Sequence, residues 1–245
     1  MHHESIVRII PVASIPSSRV LRTLAAFGVG VRRLHRDEPA RTRTHNEVVR
    51  AIIKSAQASR TVTLLTGPSG CGKSTHLRAA RLGVVQNALP TRLLDLGKWA
   101  TKSESSSVLD AVRCPCDDAL DLLNAVGLGD ALLLAQDPNT LSEGQSARLR
   151  IASAVALLLR SRMNENKPRH SVLFIDEFAS VLDRATARAL CIALARLTRA
   201  TTTNRSISVV LATAHDDVRE WLAPDSVVSF GQWGEVSLES DQQHE

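Results

Sequence analysis

The run Gly67-Pro68-Ser69-Gly70-Cys71-Gly72-Lys73-Ser74-Thr75 constrains this chain more than any other stretch, because it meets the G-x-x-x-x-G-K-[ST] phosphate-binding pattern at every position. The residues before it, Thr61-Val62-Thr63-Leu64-Leu65, are β-branched and apolar, as a buried parallel strand requires. Those after it, Thr75 to Leu82, read as a helix. A strand, a glycine loop and a helix in that order turn backbone N–H groups inward toward phosphate oxygens, and the helix N-terminus adds its partial positive charge. Lys73 is then placed to reach the β- and γ-phosphates, and Ser74 to bind Mg²⁺. The run from Gly67 to Thr75 is therefore expected to bind a nucleoside triphosphate.

Two further places carry chemistry. Ser171-Val172-Leu173-Phe174-Ile175-Asp176-Glu177 is an apolar strand closed by two acids. At its end Asp176 can hold Mg²⁺ or its water shell beside the Ser74 hydroxyl. Glu177, one residue on, points elsewhere and suits a general base or a water-positioning group; the plain alternative is a pair of acids capping a strand. His215 follows another buried-strand pattern, Ser208-Val209-Val210-Leu211, which sets it on the same carboxyl edge of a sheet as the glycine loop, within reach of a γ-phosphate. A lone histidine at a strand end is otherwise a surface or core residue.

The order of short strings along the chain adds a resemblance. Leu141-Ser142-Glu143-Gly144-Gln145 resembles the signature loop of ATP-binding cassette ATPases, departing from the common L-S-G-G-Q form at Glu143. Ser171 to Glu177 resembles that family's Walker B strand, Ser180-Val181-Leu182-Asp183 its D-loop, and Ala212-Thr213-Ala214-His215-Asp216 its switch-histidine strand end. The resemblance implies an α/β P-loop NTPase with a RecA-like parallel sheet core and a helical subdomain carrying the signature loop. It implies catalytic roles for Glu177 and His215, with Ser74 and Asp176 as metal ligands and ATP and Mg²⁺ as cofactors. It also implies that the signature works in trans. Ser142, Gly144 and Gln145, together with Asp183, would meet the ATP held by a second copy, so that a homodimer closes around two ATPs and opens on hydrolysis.

Departures from the family are local. No tyrosine is present and only Phe27 stands upstream, which leaves adenine stacking without a residue. The stretch from Lys73 to Ser142 is short for the family, and no Q-loop glutamine follows the strand ending at Leu96; Gln86 comes too early and Gln136 too late. Glu143 brings a negative charge toward the phosphate expected in trans.

Organisation follows from the same pass. Residues 1–58 form an atypical N-terminal segment standing where a β subdomain is reduced, 59–240 the ATPase domain with a helical subdomain at about 108–165, and 241–245 a frayed polar tail. An edge strand is expected over Ser5 to Ala13, a helix capped at Ser17-Ser18 and running to Phe27, a basic loop over Arg32 to Thr44, and a helix from His45 to Ala58. Thr91 to Leu96 reads as a second core strand, Cys116 to Val126 as an amphipathic helix, and Ser161 to His170 as a polar loop. Arg184 to Ala200 reads as a long helix, and Val227 to Phe230 with Glu235 to Leu238 as a hairpin.

With 245 residues, 44% hydrophobic and 22% charged, the chain suits one large globular domain. No apolar run approaches the roughly 20 residues of a membrane span, and Met1 to Pro11 lacks a secretory h-region, so a cytoplasmic protein is expected. Cys71, Cys114, Cys116 and Cys191 lack the paired spacing of a zinc site and read as free thiols. The net charge of +5, with Arg32, Arg33, Arg36, Arg41 and Arg43 clustered, is compatible with nucleic acid and equally with a solvated basic surface. Two function classes fit: a soluble ATPase acting on nucleic acid or a protein complex, and the ATP-binding subunit of a membrane transporter.

Overall fold

The computed structural model describes residues 17–26, 38–96, 104–160, 169–200, 205–231 and 236–240. The Ser5–Ala13 strand, Phe27, the arginines at 32, 33 and 36, most of the 161–170 loop and the polar tail lie outside the described residues. The chain divides into two units, Met1–His45 and Asn46–Glu245. In the first, helix α1 (Ser18–Ala26) opens with the Ser17 hydroxyl accepting from the Val20 N–H at 3.4 Å, the bond expected of a serine cap.

Helix α2 runs from Glu38 to Gln57, so it begins within the stretch expected to be a loop. Pro39 explains the early start. In a first turn its missing N–H costs nothing and its fixed φ suits a helix, and the alanine and arginines that follow have good helix propensity.

The second unit is built on a six-stranded sheet, ordered β2-β3-β4-β1-β5-β6. The strands are β1 (Val62–Thr66), β2 (Thr91–Asp95), β3 (Arg169–Asp176), β4 (Arg205–Thr213), β5 (Ser226–Phe230) and β6 (Val236–Ser240). All neighbours are parallel except β6, which pairs antiparallel with β5 as the expected hairpin. Strand β2 stands at the edge of the sheet and is only half-buried, unlike the core strand expected from its sequence; Arg92 points to solvent. Among the described residues no strand precedes β1.

Alternation sets the two faces of the sheet. Val62, Leu64, Leu173, Ile175, Val209 and Leu211 face one core with the buried residues of α5 (Cys116–Ala125), α7 (Glu143–Arg160) and α8 (Arg184–Arg199). Leu65, Phe174, Val210, Ala212, Val228 and Phe230 face the other, against Val48, Ile52 and Ala56 of α2 and Leu77, Ala80 and Val84 of α3 (Lys73–Gln86). Each fully buried aliphatic or phenylalanine side chain contributes roughly 1.5–3 kcal/mol, which clamps α3, and the loop before it, onto β1.

Between β2 and β3 lies the helical section: α4 (Val108–Ala111), α5, α6 (Ala131–Leu134) and α7. Arg148 on α7 ties it together by donating to the carbonyls of Val126 at 3.3 Å and Gly127 at 2.8 Å. The Val108 N–H donates to Gln136 O at 2.9 Å, closing the section on itself. A short helix, α9 (Val218–Leu222), follows β4. No described helix is long and apolar enough to cross a membrane.

Candidate nucleotide-binding site

Because β4 lies between β1 and β3, three parallel strands deliver their carboxyl ends side by side. From β1 comes the glycine loop, from β3 the acidic pair and from β4 His215. They enclose a cleft of about 460 Å³ lined by Ser69, Gly70 and Gly72 to Thr75 from the loop and α3, by Asp176 and Glu177, and by Thr213 to His215.

The loop leaves β1 at Gly67, where φ is +143°. A Cβ there would stand 2.3 Å from the Phe230 carbonyl oxygen at the end of β5, so only glycine lets the chain turn so near that strand. Lys73 folds back over the loop, its Nζ donating to Gly67 O at 2.6 Å and Pro68 O at 2.8 Å, with Cys71 Sγ at 3.7 Å. Helix α3 begins at Lys73, so the N–H groups of its first turn open into the cleft and favour an anion.

Asp176 is 2% exposed, and a buried carboxylate is costly unless each oxygen is partnered. Its Oδ1 accepts from the Ser74 hydroxyl at 2.8 Å and from the Glu177 N–H at 3.1 Å. Its Oδ2 faces Arg78 Nη2 at 3.3 Å. Ser74 and Asp176 thus sit together as hard oxygen donors, the type Mg²⁺ takes, and the pair fits that ion.

Glu177 is exposed, and its backbone takes φ of +53°. The turn that holds it is stapled to β4: the Phe178 N–H donates to Ala212 O at 2.8 Å, and the Thr213 hydroxyl donates to Phe178 O at 2.9 Å. Thr213 Oγ1 also accepts from the His215 N–H at 3.2 Å, so acid and histidine hang from one network.

Ser142, Gly144, Gln145 and Asp183 do not line this cleft. Ser142 and Gln145 instead form a reciprocal capping box at the start of α7. The Ser142 N–H donates to Gln145 Oε1 at 2.9 Å, and the Gln145 N–H donates to Ser142 Oγ at 3.3 Å. Gly144 packs beside Leu182 and Val181, bringing the signature and the 180–183 turn together at one surface. Asp183 caps α8 by accepting from the Thr186 N–H at 2.9 Å, and its hydrogen bonds to Thr186 hold its carboxyl below the usual range. Asp217, bonded by Arg184, is likewise held low.

Arg78, Asp95 and Thr213 were not legible as site residues. Arg78 had a signal, since it stands four residues after Ser74 on one helix and so shares its face. Thr213 had none, because a buried threonine in a strand looks like any other core position.

A family model described as novel STAND NTPase 1 matches residues 32–243. Among solved structures, the fold resembles the ATP-binding cassette MJ0796, a dimer in a post-hydrolysis state bound to ADP and Pi, at 19% identity and a TM-score of 0.53 over 76% of this chain and 88% of that one. It also resembles cbiO1 of Clostridium perfringens, part of an ABC transporter complex, at 20% identity and a TM-score of 0.51 over 75% and 78% of the two chains. No curated protein matches the sequence.

Proposed function

The chain belongs to the novel STAND NTPase 1 family, and from that premise we propose that it binds Mg-ATP in the cleft between α3 and the ends of β3 and β4 and hydrolyses it to drive a conformational switch. The observation that carries this reading is the placing of the Ser74 hydroxyl 2.8 Å from the buried Asp176 carboxylate at the mouth of the glycine loop, with Glu177 on the same cleft wall.

Lys73 leaves the Gly67 and Pro68 carbonyls for the β- and γ-phosphates, a charge-assisted contact stronger than the two it gives up. The N–H groups at the start of α3 bond the phosphate oxygens. Ser74 and Asp176 would hold Mg²⁺, which would supply positive charge to offset that of the phosphates. Glu177 orients the attacking water and accepts its proton, and His215 steadies the γ-phosphate from the β4 side.

Ser142, Gly144, Gln145 and Asp183, which lie outside the lining of this cleft, serve a second copy. Ser142 keeps its O–H free to donate while its oxygen accepts from Gln145, and α7 offers its N-terminal dipole. Two copies then close on two ATPs. Because ATP bridges both surfaces and its products do not, hydrolysis shifts the population toward the open pair. The output is a motion, delivered in the cytoplasm to a nucleic acid or a protein complex, in keeping with the positive net charge.

The decisive experiment uses Glu177→Gln, measuring hydrolysis and, by light scattering, oligomeric state with and without ATP. Expected are intact ATP binding, hydrolysis slowed about a hundredfold or more, and an ATP-dependent dimer. A variant that hydrolyses normally refutes the role of Glu177; one that binds ATP yet stays monomeric at high concentration refutes the dimer. Stimulation of the natural chain by double-stranded DNA would assign nucleic acid as the partner.

A further inference from the structure

One carboxylate of the cleft, Asp176, is paired with a cation from outside the cleft lining. Asp95 at the end of β2 and Asp176 at the end of β3 are register partners on adjacent parallel strands, so two carboxylates project from neighbouring positions. The Leu96 N–H donates to Asp176 O at 3.2 Å and fixes the two strand ends together. Like charges this close repel unless a cation lies between them. Arg78 supplies it: one nitrogen, Nη2, stands 3.3 Å from Asp95 Oδ2 and 3.3 Å from Asp176 Oδ2.

Its two partners differ in environment. The Asp176 side chain is 3% exposed and that of Asp95 21%, while Arg78 itself is 48% exposed and free to lean outward. With Ser74 and Glu177 on Oδ1 and Arg78 on Oδ2, both oxygens of Asp176 are occupied by the protein's own donors. A metal ion reaching that carboxylate meets the like charge of the guanidinium on Oδ2, and of the three donors the guanidinium is the one with a second carboxylate to retreat to.

We propose that Arg78 is a positioning residue that sits on Asp176 as an internal counter-cation, yields that seat to Mg²⁺ and keeps Asp95 as its remaining partner. This rests on the Mg-ATP reading of the cleft. Arrival of the nucleotide's metal is thereby reported to the end of β2, and the empty site is spared a buried unpaired charge. Removing Arg78 should therefore weaken the empty protein and strengthen its hold on the metal, two changes of opposite sign that loss of packing alone does not produce.

The test is ATP binding by calorimetry over a series of Mg²⁺ concentrations, with melting in the presence of a chelator, on the full chain. Arg78→Gln should lower the half-saturating Mg²⁺ about fivefold, the worth of an ion pair near the top of the exposed range, and lower the melting temperature of the empty protein. Asp95→Asn should do the reverse to Mg²⁺ demand, because Arg78 then has Asp176 alone. In the Arg78→Gln background Asp95→Asn should lose most of its effect, the non-additivity expected of a shared seat. Should Arg78→Gln fail to fold, Arg78→Met removes the charge while keeping an apolar stem and should shift Mg²⁺ demand the same way. Unchanged or raised Mg²⁺ demand in the Arg78 variants, or an Asp95 effect identical in both backgrounds, overturns the proposal while leaving ATP binding standing. A natural chain that binds no ATP with or without Mg²⁺ overturns both.

Discussion

Replacing Gly67 by alanine tests whether the glycine loop is as tightly wedged as its geometry says. The added Cβ would meet Phe230 O at 2.3 Å and Phe230 Cβ at 3.0 Å, far inside the roughly 3.5–4.0 Å optimum for such contacts. Phe230 cannot recede easily: it is 3% exposed, and β5 is paired with β1 on one side and β6 on the other. The φ of +143° adds a backbone cost of about 1–3 kcal/mol for any residue with a Cβ. Overpacking adds about 1–3 kcal/mol more, so Gly67→Ala should destabilise the protein by about 2–6 kcal/mol. Gly70→Ala is the control. It also has positive φ, +82°, but its Cβ would meet nothing within 4 Å, so only the backbone cost applies. The difference between the variants isolates the clash at about 1–3 kcal/mol. At about 2–4 °C per kcal/mol for a chain of this length, that is a separation of several degrees in melting temperature, measured without nucleotide alongside denaturant midpoints. If Gly67→Ala melts no lower than Gly70→Ala, the close approach of loop and β5 is refuted.

Lys73→Ala should weaken ATP binding by one to two orders of magnitude, since a charged hydrogen bond lost is worth about 1.5–3 kcal/mol; calorimetry that finds affinity unchanged would remove Lys73 from the phosphate site. Cys191, wholly buried on α8, has its thiol pushed up by burial to about 12 from 9.0. The folded state therefore keeps a proton that the unfolded state releases, so this contribution is fully present below about pH 9 and is lost as pH rises toward 12. Urea midpoints across that window should fall less steeply in Cys191→Ala, and equal slopes would contradict the burial effect. Ser142→Ala and Gln145→Ala should each cost about 0.5–2 kcal/mol as halves of one capping box. The double variant should cost less than the sum in chemical denaturation; strict additivity would mean that the two bonds are independent.

The parts legible in the sequence were those whose chemistry forces a local pattern. The β-branched and apolar run Thr61 to Leu65 reads as a strand, found at Val62–Thr66, and the helix expected from Thr75 begins earlier, at Lys73, where phosphate binding needs free N–H groups. Lateral order was another matter. Nothing in Arg205 to Thr213 says that this strand inserts between β1 and β3, since a buried parallel strand reads alike wherever it stands. The start of α2 was missed because arginines and threonines suggested a loop, while Pro39 in a first turn pointed the other way. The L-S-E-G-Q string drew attention as a family mark, yet its Ser142 and Gln145 first satisfy each other across a helix end. The spacing of Arg78 from Ser74 tells its helix face but not its partners, which come from β2 and β3, far apart in the chain and joined only by the fold.

The turn after β3 places Glu177 at φ +53° and Ala179 at φ +64°, with a wholly buried Phe178 between them. Neither residue is a glycine, and each left-handed position costs an L-residue about 1–2 kcal/mol. Glu177→Gly should consequently give a sturdier protein that no longer turns over. A lineage freed from the need to hydrolyse would drift toward glycine or asparagine at 177, and the core around Phe178 would show no sign of it. The residue found at 177 in related chains thus offers a way to tell working enzymes from those kept only for binding, without a single assay.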